Sequence, residues 1–151
     1  MKPIKLSATA LFLTTFIPAI ILEILIHAPL LNCYTDYAKI IGIGLLLIGL
    51  TLNVLAYRQF QKHQTSHHPF SSPTVLLNKG IYAYTRNPIY LALCIVYAGL
   101  VLIVNSVWVL SGLFSLIIAL KIRVIKEEEM VLHQTFGKEF EQYCKKTRRW
   151  I

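Results

Sequence analysis

The residues best suited to chemistry lie in one polar, aromatic stretch, from Gly80 to Tyr90. It contains Tyr82, Arg86 and the dipeptide Asn87-Pro88, and a long apolar run follows it directly. Asn-Pro is a turn signal, and proline suits the first position of a helix. At membrane depth, irregular backbone is tolerated only where it is buried in protein or lines a polar cavity. The stretch therefore predicts a hydrogen-bonding small-molecule site at a membrane surface.

A second group of candidate residues follows the last apolar run. Lys121, Arg123 and Lys126 precede the acidic triplet Glu127-Glu128-Glu129. On a helix these carboxylates would fan out about 100° apart, so we expect only one or two of them to face inward. Lys121 and Arg123 could instead reach lipid head groups from the end of a span.

Apolar runs supply the elements that must position these residues. The chain is 56% hydrophobic and 15% charged, and its main runs are Leu6–Ile26, Ile40–Tyr57 and Ile89–Leu120. The last run has 32 uncharged residues; as one helix it would be ~48 Å long, against a hydrocarbon core of ~30 Å. Because Asn105-Ser106 lies at its midpoint, we interpret it as a tight hairpin of two short spans. The sequence thus predicts an all-α polytopic membrane helical bundle with four transmembrane helices.

The length of 151 residues predicts a single domain, here an integral-membrane one. It would comprise two N-terminal spans in residues 1–57 and a site-bearing region in residues 58–151. The first run could be a signal peptide, but its length and the lack of a small-residue cleavage site favour a membrane anchor. After the hairpin, apolar residues at helical spacing predict a cytoplasmic C-terminal amphipathic helix; they are Leu132, Phe136, Phe140 and Tyr143.

The net charge of +8 would suggest nucleic acid in a soluble protein. Of the 15 Lys and Arg residues, however, only Lys39 falls on one side of the four-span arrangement. Basic residues concentrate on the cytoplasmic side of membrane proteins. We therefore expect an integral protein of the bacterial inner membrane, with both termini and the site in the cytoplasm and no nucleic acid partner.

Two further patterns carry less chemistry. Three histidines lie close together and three cysteines are scattered, but neither set has the spacing of a metal site or a disulfide framework; they are His63, His67, His68, Cys33, Cys94 and Cys144. A carboxylate within a span is costly, so Glu23 either reaches the interface, where His27 could pair with it, or lines a polar cavity.

Taken together, these motifs resemble a family of integral-membrane methyltransferases. That family includes isoprenylcysteine carboxyl methyltransferase and the phospholipid methyltransferases, and the likeness covers roughly residues 58 to 151. The residues that carry it are, in order, Gly80, Tyr82, Arg86-Asn87-Pro88-Ile89-Tyr90, Glu127-Glu128-Glu129, Phe136-Gly137, Tyr143 and Arg148-Arg149-Trp150. Each motif alone is weak, but their order and spacing across a membrane hairpin make the combination specific.

The resemblance implies methyl transfer from S-adenosylmethionine to a lipophilic small molecule or lipid through a carboxylate, thiol or amine. It makes residues 58–151 the cofactor-binding catalytic region. Cofactor contacts would fall on Thr74, Val75, Leu76, Leu77, Tyr82, Asn87, Pro88, Ile89, Tyr90 and Glu128. Arg86 and Arg123 would be the catalytic residues, with no metal involved. Arg86 would position an acidic substrate or the cofactor carboxylate, and Arg123 would act on the substrate.

Two departures from the family pattern bear on the acceptor. Asn87 stands where the prenylcysteine enzymes have histidine, and their substrate arginine aligns with Val124, one residue from Arg123. One residue on a helix is a rotation of about 100°. A prenylcysteine acceptor therefore does not follow from the resemblance.

Two other functions would also suit a small membrane bundle. One is an NADPH-dependent membrane reductase, some of which end in a similar glycine, aromatic and basic tail. The other is a non-catalytic membrane protein, such as a transporter subunit or assembly factor. The first would need a larger bundle with more polar contacts, and the second would leave the aromatic loop and the acidic triplet without a task.

Overall fold

A computed structural model describes residues 7–31, 36–62 and 75–150, and within them the chain is all-α, as predicted. The helices are α1 (Ala8–Leu25), α2 (Asp36–Lys62), a 3-10 turn (Gly80–Ala83), α3 (Pro88–Val104), α4 (Val107–Ala119), a π-helical segment (Leu120–Ile125), α5 (Lys126–Phe136) and α6 (Lys138–Lys146). The chain runs from α4 through the π-helical segment into α5 without leaving helical backbone angles.

Three of these helical stretches are long and apolar enough to cross a membrane: Ala8–Leu25, Asp36–Gln59 and Val107–Phe136. Helix α3 is also apolar but has only 17 residues. Many large apolar side chains on α1 and α2 are exposed, including Ile24 and Leu47. An aqueous surface would not favour such a band of aliphatic side chains, whereas lipid does.

Helices α2 and α3 pack closely because glycines remove side chains from their contact. A Cβ on Gly42 would lie 2.8 Å from the carbonyl oxygen of Gly99, and one on Gly49 would lie 2.9 Å from that of Ala92. Small residues allow helix backbones to approach in this way inside membranes. Gly44 differs, since a Cβ there would meet no atom within 4 Å.

A second contact joins α1 to α3 and α4 through aromatic rings. Tyr97 is fully buried, and its ring centroid lies 5.0 Å from that of Phe12 and 5.5 Å from that of Phe16. Leu116 of α4 is also fully buried in this core. The core therefore lies between α1, α3 and α4, while α2 packs on the other side of α3.

Polar contacts fasten α1 to the turn between α3 and α4. Asn105 has a positive φ of 55°, and the Ser106 hydroxyl caps α4 by accepting from the Trp108 and Val109 amides. The same hydroxyl donates to Glu23 at 2.6 Å, and His27 pairs with that carboxylate at 2.5 Å. A carboxylate near a helix N-terminus is favoured. Glu23 thus has structural partners, which accounts for its position without a cavity.

The C-terminal amphipathic pattern folds as two helices, not one. Gly137 separates α5 from α6 with a φ of +50°, a conformation that costs other residues energy. The break lets Phe140 and Tyr143 of α6 pack with Leu76, while Leu132 and Phe136 of α5 lie at the edge of the same cluster. The apolar spacing was predicted correctly, but Gly137 divides the predicted amphipathic helix into two.

Gly49→Ala should destabilise the protein in detergent by about 1–3 kcal/mol, since the new methyl group would press on the α3 backbone. Gly44→Ala is the matched control on the same helix and should leave the melting temperature unchanged or raise it, because alanine favours helix. Thermal unfolding followed by tryptophan fluorescence compares the two. Equal melting temperatures for both variants would contradict the α2–α3 packing.

Candidate functional site

The end of the bundle where α3 begins brings the 3-10 turn onto α2. Gly80 has a φ of +63°, and a Cβ there would lie 2.5 Å from the side-chain nitrogen of Gln59. Glycine is therefore needed for its backbone angle, whereas the end of the flexible Gln59 side chain could move aside. The turn that follows buries Tyr82 with 7% of its surface exposed. The 3-10 turn thus places the Tyr82 side chain inside the protein.

Tyr90, on the first turn of α3, faces Glu128 on α5. The Tyr90 hydroxyl donates a short hydrogen bond to Glu128 Oε1. Helix α3 begins with Pro88 at its first position, as the Asn-Pro dipeptide predicts. Tyr82, Tyr90 and Glu128 therefore converge from three separate elements, and these are three of the predicted cofactor-binding residues.

Burial keeps the phenol groups of this region protonated. It raises the pKa of Tyr82 far above its usual range, and the nearby Glu128 charge raises it further. Burial also raises the pKa of Tyr143, against a smaller lowering by Arg86. The Tyr143 hydroxyl donates to the backbone carbonyl of Tyr82 at 2.6 Å. Both phenols are therefore neutral near pH 7, and that of Tyr143 is a hydrogen-bond donor.

Beside this pair, Glu129 joins two arginines. Arg86 Nη2 donates to Glu129 Oε1 at 2.9 Å. Arg149 binds the same carboxylate through two nitrogens, at 3.0 Å from Nε and 2.5 Å from Nη2. The hydrogen bond to Glu129 also raises the pKa of Arg149 above its already high value. Such two-point arginine–carboxylate contacts are both strong and directional.

The segment Thr147–Trp150, here called the C-terminal strap, lies across the start of α3. Its backbone carbonyls accept from Arg86 Nη1, the Arg86 amide and Asn87 Nδ2, at 2.9, 3.0 and 2.9 Å. Thr85 donates to the same Arg149 carbonyl as Asn87. Trp150 then packs against the main hydrophobic core. Asn87 is therefore used by the strap, although it was predicted to contact the cofactor.

The remaining predicted cofactor residues have varied environments. Thr74 lies outside the described residues. Leu76 is buried against α6, Leu77 is half-buried and Val75 is exposed. Pro88 is fully buried, and Ile89 is half-buried. Leu76 thus lies on the α6 side of the region, and residues 88 and 89 form the start of α3.

The two predicted catalytic arginines differ in their surroundings. The Arg86 side chain is 13% exposed and engaged by Glu129 and the strap, but its Nε is buried with no partner among the described residues. Arg123 lies exposed in the π-helical segment, whereas the next residue, Val124, is buried in the core. Arg123 therefore points away from the bundle core, and the structure does not bring it to the Tyr90–Glu128 pair.

Three further residues of this region, Glu129, Tyr143 and Arg149, were not predicted to belong to the site. Glu129 was visible only as one member of an acidic triplet, of which one or two residues were expected to face inward. Both Glu128 and Glu129 do so, toward different partners. The sequence signal for this ion pair was the group of basic residues in the closing segment, since one of them could pair with a buried carboxylate.

No group of three potential metal ligands occurs within residues 7–31, 36–62 and 75–150. Cys33 and the histidines at positions 63, 67 and 68 lie outside these ranges. The site is therefore described by its aromatic, carboxylate and guanidinium groups.

A sequence profile of the phospholipid methyltransferase family matches residues 37–139. The chain belongs to this family. No curated protein and no solved structure gives a match to the chain. Membership implies membrane methyltransferase activity and a lipid substrate, and the apolar helices agree with an integral membrane protein.

The phospholipid methyltransferase match covers α2, the 3-10 turn and α3 to α5, so it contains Tyr82, Tyr90 and Glu128. It stops before Tyr143 and before the C-terminal strap, and α1 precedes it. Tyr82, Tyr90 and Glu128 thus lie in the matched part of the chain. Tyr143, which binds the Tyr82 carbonyl, and the C-terminal strap lie beyond it.

Tyr143→Phe should lower the free energy of unfolding by about 1–2 kcal/mol, because the buried Tyr82 carbonyl would lose its donor. Tyr84→Phe is the control, since Tyr84 is 81% exposed. Thermal melts in detergent would measure both. A Tyr143→Phe melt identical to that of Tyr84→Phe would show that this hydrogen bond does not hold α6 to the 3-10 turn.

Proposed function

We propose that this protein transfers a methyl group from S-adenosylmethionine to a lipophilic or lipid acceptor. The observation that carries the proposal is the convergence of Tyr82, Tyr90 and Glu128 at the start of α3, within the part matched by the phospholipid methyltransferase family. The donor, when bound, supplies an electrophilic methyl carbon on a positively charged sulfur. The acceptor atom bonds to that carbon as the carbon–sulfur bond breaks, leaving a neutral thioether.

The residues of the site suit each part of this donor. The Glu128 carboxylate can pair with its ammonium or sulfonium group, and Tyr82 and Tyr90 offer aromatic faces for adenine or for the cation. Backbone amides at the start of α3 favour a carboxylate, as helix N-termini do. Arg86 has a buried Nε without a partner among the described residues, which a donor carboxylate could use. The residues present therefore fit the group.

The segment from 74 to 77 would complete the donor site. Leu76 would supply an apolar wall next to α6, with half-buried Leu77 and exposed Val75 beside it in sequence, and Thr74 lies outside the described residues. Ile89 would offer its backbone N–H to the donor, whereas Pro88 has no N–H and would shape the helix start. Asn87 would support this start, because its backbone N–H donates to Thr85 Oγ1 and its side-chain Nδ2 donates to the strap. The wall and the strap would limit water around a reactive cation.

We also propose how the chain is arranged in the membrane. Four spans would be formed by α1, α2, α3 and α4. Of these, α3 and α4 would be a hairpin that turns at Asn105 and Ser106. The whole chain would be a single methyltransferase unit, its first two spans preceding the catalytic region 58–151. The excess of Lys and Arg near the α3 start and the C-terminal strap supports a cytoplasmic site and a bacterial inner membrane.

The acceptor is proposed to approach from the lipid. Methyl transfer needs a nucleophile in line with the carbon–sulfur bond, and orientation alone can lower the barrier by ~7–11 kcal/mol. A dedicated base is therefore not required, which agrees with a site whose tyrosines hold their protons. Arg123, which is exposed just beyond the end of α4, would bind an acceptor head group in the membrane interface.

Calorimetry on the detergent-solubilised protein should show S-adenosylmethionine binding. Glu128→Gln and Tyr90→Phe should each weaken it about tenfold or more, a loss of at least about 1.4 kcal/mol. Glu127→Gln is the control for charge on the same helix and should bind as wild type.

Absence of binding to wild type, or equal affinity in all four proteins, would contradict the proposed donor site. Titration with NADPH is the parallel test for a reductase, and it should give no heat of binding.

Arg123→Gln should raise the KM for a lipid acceptor several-fold while leaving the donor affinity unchanged, because the side chain points away from the Tyr90–Glu128 pair. Labelled donor and membrane lipid extract would give the rates, and Lys126→Gln is the matched loss of an exposed charge nearby. A change in donor affinity with no change in acceptor KM would count against this placement of Arg123.

A further inference from the structure

The Glu129 carboxylate binds two guanidinium groups. It accepts from Arg86 on one side and from two nitrogens of Arg149 on the other. Its side chain is only 19% exposed, and that of Arg86 is 13% exposed. This ion-pair group joins α5 to both the start of α3 and the C-terminal strap.

Glu129 and Glu128 are neighbours on one helix, so their side chains leave α5 about 100° apart. Glu128 reaches Tyr90 on α3, and Glu129 reaches Arg86, which lies four residues before Tyr90. Two contacts at different angles fix the rotation of α5 about its own axis. With either contact alone, α5 could turn while that contact persisted.

The contact between Glu129 and Arg86 is needed because the backbone just before α5 is irregular. The chain enters α5 from the π-helical segment Leu120–Ile125, which places an extra residue in its turn. Such segments are found mostly as local irregularities in α-helices, often at functional sites. A small adjustment there would rotate α5 and move Glu128 away from Tyr90.

We propose that Glu129 is a positioning residue for the methyl donor. By binding Arg86 and Arg149 it fixes the rotation of α5, and so keeps the Glu128 carboxylate against Tyr90, where the donor's cationic group binds. It touches neither donor nor acceptor. The effect on donor binding rests on the proposed function, whereas the effect of Glu129 on the rotation of α5 concerns only this chain's own residues.

A purely structural ion pair would also destabilise the protein when broken, because a buried charge would lose its partner. Melting temperature alone cannot separate the two roles. Ser106→Ala provides the matched loss of stability, since it removes the α4 cap and the Glu23 contact at the opposite end of the bundle. It should lower the melting temperature and leave donor affinity unchanged.

The test is a double-mutant cycle on donor affinity, with Glu128→Gln, Glu129→Gln and the double variant measured by calorimetry. If Glu129 acts through Glu128, each single change weakens binding about tenfold, and the double variant is weaker than either single one by less than about threefold. Independent contributions would instead multiply to about a hundredfold, and that result would overturn the proposal. Arg149→Gln is a milder second variant, since its side chain is 41% exposed, and should act in the same direction.

A ligand-free measurement keeps this inference separate from the proposed function. In protein labelled with ¹³C-tyrosine, Tyr90→Phe identifies the ring signal of Tyr90. Glu129→Gln should shift that signal toward its position in Glu128→Gln, and Ser106→Ala should not move it. An unmoved signal would overturn the positioning role even if the wild type binds donor. A moved signal without donor binding would uphold the positioning and refute only the proposed function.

Discussion

A carboxylate within an apolar bundle must be met by a partner, and this requirement organises the described structure. Three carboxylates approach the helical core, and each has a separate set of donors: Glu23 has Ser106 and His27, Glu128 has Tyr90, and Glu129 has two arginines. Leaving such a charge unpaired costs several kcal/mol. The helices are therefore fixed where these pairs form, because aliphatic contacts alone distinguish one rotation of a helix poorly from another.

The two ends of the bundle use polar contacts in different ways. At the α3–α4 turn, the Ser106 hydroxyl binds Glu23 of α1, and Asn105 binds the backbone of Leu30 and Leu31, which follow α1. At the start of α3, the strap covers the helix N-terminus and shares its carbonyls with Arg86 and Asn87. The first end has its polar groups satisfied by the protein itself. The second leaves the buried Arg86 Nε without a partner among the described residues.

The sequence predicted the helical class, the turn at Asn105-Ser106 and the position of Pro88 at the start of α3, because each has a local cause. Apolar runs, a turn dipeptide and the fixed φ of proline all act within a few residues. The role of Glu129 could not be predicted in this way. Its partners are 43 and 20 residues away, and which of three adjacent carboxylates faces them depends on the rotation of α5. The use of Asn87 by the strap was likewise a long-range contact, invisible in a motif.

Gly137 shows how backbone handedness, not volume, can select a residue. A Cβ there would meet no atom within 4 Å, so the site has room for a larger group. Its φ of 50° and ψ of −119° are instead the mirror image of angles that an L-residue adopts easily. A D-alanine introduced by chemical synthesis would keep the bend between α5 and α6, whereas its L enantiomer would strain it. The orientation of α6, and with it the donor to the Tyr82 carbonyl, thus depends on one achiral position.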